Sequence, residues 1–178
     1  MRRLSSTTSC NKPVSRILHG DIILREWNNL NALAVKIKYL SPHVKPPQYA
    51  TQGSAGVDLT ACIDTPITLN PQQKVIIPTG IAIGLPSNET VGLVFARSGL
   101  GIKHGITMSN GVGVIDSDYT GEICCGLINL GDQPYTITPN DRIAQLLIMP
   151  VYVANFVQVE QLDETERGTG GFGSTGKN

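Results

Sequence analysis

The chain has no surplus of charge of either sign. Its 178 residues carry 14 Lys and Arg against 14 Asp and Glu. Proteins that grip DNA or RNA through the phosphate backbone depend on excess Lys and Arg, so this balance argues against a nucleic-acid binder. It leaves room for a small anionic ligand held by a few placed groups. A run of about 18 apolar residues is also missing, so no membrane-spanning helix is expected. The four cysteines, Cys10, Cys62, Cys124 and Cys125, lack zinc-type spacing. Neighbouring strand side chains point to opposite faces, so the adjacent Cys124 and Cys125 cannot easily serve one face of a sheet. All four read as reduced thiols of a cytoplasmic protein. Long helical periods are absent too, and a short turn at 98–104 is the best helix candidate.

What is present is a β pattern. Short runs rich in Val and Ile recur between Gly, Pro, Asn and Asp. They predict strands at 34–40, 57–62, 74–83, 90–97, 105–108, 122–129, 134–137, 142–151 and 153–161. Pro78 and Pro86 suit edges or turns rather than central pairing. Many short strands imply a sandwich, barrel or jelly roll, and such folds leave function open. Residues 1–34 differ from the rest: the first 20 contain Arg2, Arg3, Lys12 and Arg16 but no acid. A transit peptide, a flexible extension and an upstream start codon all fit this segment. The latter two are favoured because no amphipathic stripe emerges. Residues 21–27 read as a short strand or a short helix.

Five segments carry groups suited to chemistry. Gly53-Ser54-Ala55-Gly56-Val57-Asp58-Leu59 places an acid on a strand entered through small residues; alone it also reads as a turn Asp. Ala96-Arg97-Ser98-Gly99-Leu100-Gly101 looks like an anion-binding turn at a helix start, or an ion pair with a helix cap. In the segment from Asn110 to Gly121, Asp116 follows Val114 and Ile115. Partial burial at a strand end would raise its proton affinity and suit it to act as a general base. Asn110 has both a donor and an acceptor, as reading an imide edge requires. Asp141-Arg142-Ile143-Ala144-Gln145-Leu146 is a strand carrying Gln145, which by itself reads as a surface residue on an edge. Last, Arg167-Gly168-Thr169-Gly170-Gly171-Phe172-Gly173-Ser174-Thr175-Gly176 joins a guanidinium, a ring, hydroxyls and close-approaching backbone N–H groups.

Taken in this order, the five segments closely resemble the motifs of the homotrimeric deoxyuridine triphosphate nucleotidohydrolases (dUTPases). The resemblance runs from about Val35 to Asn178. It implies an all-β, β-clip-like jelly roll, assembled as a homotrimer whose C-terminal tails cross to neighbouring sites. The implied domains are an extension at 1–34, a catalytic β-domain at 35–160 and a glycine-rich lid at 161–178. The implied reaction is dUTP plus water to dUMP and pyrophosphate, with Mg2+. It limits uracil in DNA and supplies dUMP for thymidylate synthesis.

By matching position, Asp116 is the catalytic acid that activates water, and Tyr119 is the ring that packs under deoxyribose. Asn110 reads uracil, helped by backbone groups near Val114, Ile115 and Cys124. Arg97, Ser98 and Gly99 bind phosphate from a neighbouring subunit. Gln145 sits near the phosphates and the attacking water, and Asp58 reaches magnesium through water. Arg167 contacts the γ-phosphate, Phe172 covers uracil, and Gly173, Ser174 and Thr175 belong to the phosphate-binding tail. Two alternatives are a dCTP deaminase of the same fold and a non-catalytic β-module that binds nucleotides or a partner. The intact Asp116, Tyr119 and Arg167 weigh against a decayed site.

Overall fold

A computed structural model describes residues 32–171. Two four-stranded antiparallel sheets and a two-stranded ribbon account for its strands. The first sheet joins β1 (Lys36–Tyr39), β4 (Lys74–Gly84), β8 (Glu122–Asn129) and β6 (Ile106–Met108) in that order. The second joins β2 (Val57–Thr60), β10 (Arg142–Pro150), β5 (Thr90–Ala96) and β7 (Gly113–Ile115). The ribbon pairs β3 (Ile67–Leu69) with β9 (Tyr135–Ile137). The one helix among the described residues is α1 (Ser98–His104).

Alternation explains the layering. Along β8, Ile123, Cys125, Leu127 and Asn129 point inward while the residues between them do not. Leu59, Val94 and Leu146 of the second sheet join Ile77, Ile81, Ile123 and Leu127 of the first in one buried cluster. Each such Leu, Ile or Val contributes about 1.5–3 kcal/mol by leaving water. The result is the expected all-β jelly roll. Polar order enters only where it is satisfied. The buried Asn129 amide donates to the carbonyls of Leu69 and Gln133, and its oxygen accepts from the Gly131 N–H.

Three expectations change. The segment 153–161 forms no strand, because no strand edge among the described residues of its own chain pairs with it. Two strands went unforeseen: β3 and β7 are three residues each, and β7 lies in a glycine-punctuated stretch. Pro78 lies in β4, an inner strand rather than an edge. It is tolerated because the β4–β8 register breaks between Pro78 and Ala82, and β1 pairs only with residues from Ile81 onward. Gly80 turns through this break at φ 71, where a side chain would strike Val44 and Cys62. Gly105 closes α1, its N–H reaching the Gly101 and Leu100 carbonyls. The His104 ring packs against Tyr135, with centroids 4.8 Å apart. Residues 21–27 lie outside the described residues.

Candidate active site

Strand order in the second sheet brings three of the five segments together. β10 is central, with β2 on one side and β5 on the other. Gln145 therefore sits opposite Asp58 of β2 and Phe95 of β5. It is half-buried, not a residue on an edge strand, and its Nε2 donates to the Ala96 carbonyl at 3.2 Å. Arg97 follows β5 directly and turns back to Asp58. Its Nε donates to Asp58 Oδ1 at 3.0 Å. Arg142, at the start of β10, donates from Nη1 to Asp58 Oδ2 at 3.1 Å. The Arg97 Nη1 also donates to the Arg142 carbonyl at 3.3 Å.

One carboxylate thus holds two guanidinium groups. The Asp58 side chain is 18 % exposed, Arg97 27 % and Arg142 54 %, so the inner pair is the better shielded. These groups, with Ser98 and Gly99, line an open cavity of about 670 Å³. Ser98 and Gly99 begin α1, whose N-cap residue Arg97 makes no side-chain capping bond. The cavity wall therefore offers two cations and a helix start, which suits an anion.

A second cluster forms at the turn between β7 and β8. The Tyr119 N–H donates to the Asp116 carbonyl at 3.1 Å, which places the carboxylate and the ring on one turn. The Tyr119 hydroxyl donates to the Glu122 carbonyl at 2.9 Å. Glu122 is itself tied to the β4 irregularity, its Oε1 accepting from the Gly80 N–H at 2.7 Å. The Ser109 N–H donates to the Gly126 carbonyl of β8, and Asn110 sits in the turn that follows β6, beside Gly111, which lines the Arg97 cavity. Cys124, further along β8, faces outward and Cys125 inward, as their adjacency requires. Val114 is exposed and Ile115 half-buried. Asp116 is exposed in the single chain, so the partial burial expected from its apolar neighbours is absent there. The flanking residues are spent on pairing β7 with β5, not on covering the carboxylate.

The chain does not bring these two clusters together. Ile115 pairs with Gly92 near the beginning of β5, whereas Arg97 lies beyond its end. At about 3.3 Å per residue, Gly92 and Arg97 are roughly 16 Å apart along the strand. Asp116 continues past Gly92, away from Arg97. Of the tail, Arg167 is exposed and its Nε donates to the Gly170 carbonyl at 2.9 Å. Phe172, Gly173, Ser174 and Thr175 lie outside the described residues.

Two participants escaped sequence reasoning. Arg142 was visible only as a charge beside Asp141; its partner, Asp58, is 84 residues away. Glu122 gave no local sign of its bond to Gly80. Burial raises the Cys125 thiol to about 12, with Cys124 adding to it. Burial and the neighbouring Glu122 charge push Cys124 upward as well.

Comparison with known proteins agrees over most of the chain. A sequence model of the dUTPase family matches residues 43–176. A deoxyuridine 5'-triphosphate nucleotidohydrolase of Desulfitobacterium hafniense is 53% identical over 149 residues, covering 83% of this chain and 99% of its own length. One from Paraburkholderia phymatum is 50% identical over 147 residues, covering 82% and 99%. Among solved structures, the Staphylococcus bacteriophage 80alpha dUTPase with dUPNHPP superposes with a TM-score of 0.73 at 29% identity, covering 80% of this chain and 98% of that one. A mutant dUTPase from phage phi11 of S. aureus, which coordinates a structural Mg(II) ion, superposes at 0.66 and 24% identity, covering 74% and 99%.

Proposed function

The chain belongs to the dUTPase family and hydrolyses dUTP to dUMP, and from that premise we propose a division of labour between the two clusters. The observation that carries it is the cavity in which Asp58 aligns Arg97 and Arg142 beside Gln145. Arg97, Ser98 and Gly99 bind the triphosphate there. Asp116 of a neighbouring copy takes the proton from the water that attacks the α-phosphorus, and Gln145 helps place that water. Arg97 and Arg167 offset the charge that builds on departing pyrophosphate. Asn110, with backbone groups at Val114, Ile115 and Cys124, reads the uracil edge. Tyr119 packs under the sugar and excludes a 2′ hydroxyl. Phe172 covers the base, while Gly173, Ser174 and Thr175 close over the phosphates.

The donor set suits magnesium held mainly by substrate. Among the described residues no group of three His, Cys, Asp or Glu gathers into a metal cage. Magnesium prefers phosphate oxygens and retained waters. Asp58 has lone pairs beyond those used by the two arginines, so it fits a contact through water. When bound, the ion neutralises phosphate charge and orients the leaving group.

The reading includes a homotrimer with exchanged tails. Two facts support it. Asp116 and Arg97 lie at opposite ends of β5 in one chain. The segment after β10 leaves large apolar residues in water, with Tyr152 99% and Phe156 94% exposed. Surface of that kind calls for a partner. Residues 1–34 are then an extension, 35–160 the catalytic domain and 161–178 the lid. The described cysteines Cys62, Cys124 and Cys125 are unpaired, which supports a reducing, cytoplasmic setting. The dCTP deaminase alternative is not favoured by the named relatives. The test is pyrophosphate release from dUTP run beside dCTP, dTTP and UTP. Brisk release from dUTP alone is expected, and ammonia from dCTP would overturn the reading.

A further inference from the structure

Gly121 stands between Tyr119 and Glu122, and its backbone does not require glycine: its φ is outside the left-handed region that other glycines here occupy. It is also exposed, so no core packing demands a small residue. The demand comes from the Tyr119 ring. A Cβ on residue 121 would stand 2.6 Å from the Tyr119 hydroxyl oxygen, 2.7 Å from Cζ and 3.1 Å from Cε2. Real Cβ contacts do not come so close, so ring and methyl cannot share the space. The ring lies directly on the main chain at Gly121 and reaches the Glu122 carbonyl from there.

We propose that Gly121 is a specificity-determining position, because its missing side chain is the seat that holds the Tyr119 ring where it excludes a 2′ hydroxyl. The inference rests on the assignment of Tyr119 to the sugar in the proposed function. The seat is firm from below. Glu122 opposes Ala82 in the ladder and its side chain accepts from Gly80 N–H, so its place is held by contacts that do not involve Tyr119. The three atoms nearest a methyl at 121 all belong to the outer end of one half-exposed side chain, Tyr119. The ring therefore yields and the fold does not. Once lifted, the ring loses its hydrogen bond and its fixed height under the sugar. Discrimination against one added hydroxyl by shape alone is worth about a hundredfold, so small displacements are costly to it.

The experiment measures kcat/KM for dUTP and for UTP in the full-length protein, its Gly121→Ala, Tyr119→Phe and Tyr119→Ala variants, with a thermal melt of each. Gly121→Ala should lower the dUTP/UTP ratio about tenfold or more while the melting temperature moves by only a few degrees. Tyr119→Phe, which removes only the bond to Glu122, should shift the ratio in the same direction by a smaller factor. Equal losses on both substrates in Gly121→Ala would mark a merely structural glycine and overturn the inference. An unchanged ratio in Gly121→Ala and Tyr119→Phe, with collapse in Tyr119→Ala, would overturn the seat but leave the sugar role of Tyr119 standing. An unchanged ratio in Tyr119→Ala would overturn that role, and the inference with it.

Discussion

The two ends of β5 differ in how much one chain completes. Beyond its C-terminal end, Arg97, Arg142, Asp58 and Gln145 are tied together by ion pairs and by the register of β10 between its neighbours. Near its start, Asp116 projects into water and Tyr119 bonds to its own turn. The first region is organised before any ligand arrives. The second presents an exposed carboxylate with no ion-pair partner among the described residues. Asp116 and Arg97 are separated along β5, so if both serve one phosphate, as proposed, they come from different copies.

Mixing tests that implication with the largest effect. Asp116→Asn should lower kcat by about a thousandfold, in the range general bases supply. Arg97→Ala should be similarly inactive. Co-refolding equal amounts of the two should restore about a quarter of parental pyrophosphate release, because random assembly pairs an intact Asp116 with an intact Arg97 in about one site of four. No recovery would mean that both groups serve one chain's own site. Deleting residues 168–178 should come next in size. Oligomer mass should be retained in light scattering while kcat/KM falls by roughly a hundredfold, as expected for a lid that aligns reactants. A truncated protein with parental kcat/KM would remove the tail from the site.

Asp58→Asn sharpens the comparison from the organised side. It withdraws the negative partner of two guanidinium groups, one of them mostly shielded. Stability should fall by about 1 kcal/mol, discounted for the exposure of Arg142. The KM for dUTP should rise as Arg97 loses its aim, and calorimetry with steady-state kinetics would show both. An unaltered KM would mean that Arg97 holds its pose without the carboxylate.

The smallest effect concerns the core side of β8. The Cys125 thiol rises from 9.0 to about 12, chiefly through burial. A group raised in the folded state stabilises fully below its unfolded value and loses that contribution as pH climbs through the folded one. Stability should therefore decline between about pH 9 and pH 12, and Cys125→Ala should flatten that part of the curve in urea titrations. An identical alkaline slope in the variant would assign the loss to other groups.

The amino-acid sequence alone determined the β character, most strand positions, and the order of five chemically loaded segments. These are local properties: alternating Val and Ile, turn residues, and short motifs each complete within about ten residues. β7, three residues opened by a glycine, showed no period. The segment 153–161 has strand-type residues but forms no strand, because no edge among the described residues of its own chain pairs with it. Tertiary structure decided what depends on distant partners. It set Gln145 between Asp58 and Phe95, recruited Arg142 across 84 positions, and gave Gly121 to the Tyr119 ring. It also parted Asp116 from Arg97 along one strand. Side-chain chemistry is written residue by residue, but the distance between two groups is fixed only when strands choose their neighbours and their register.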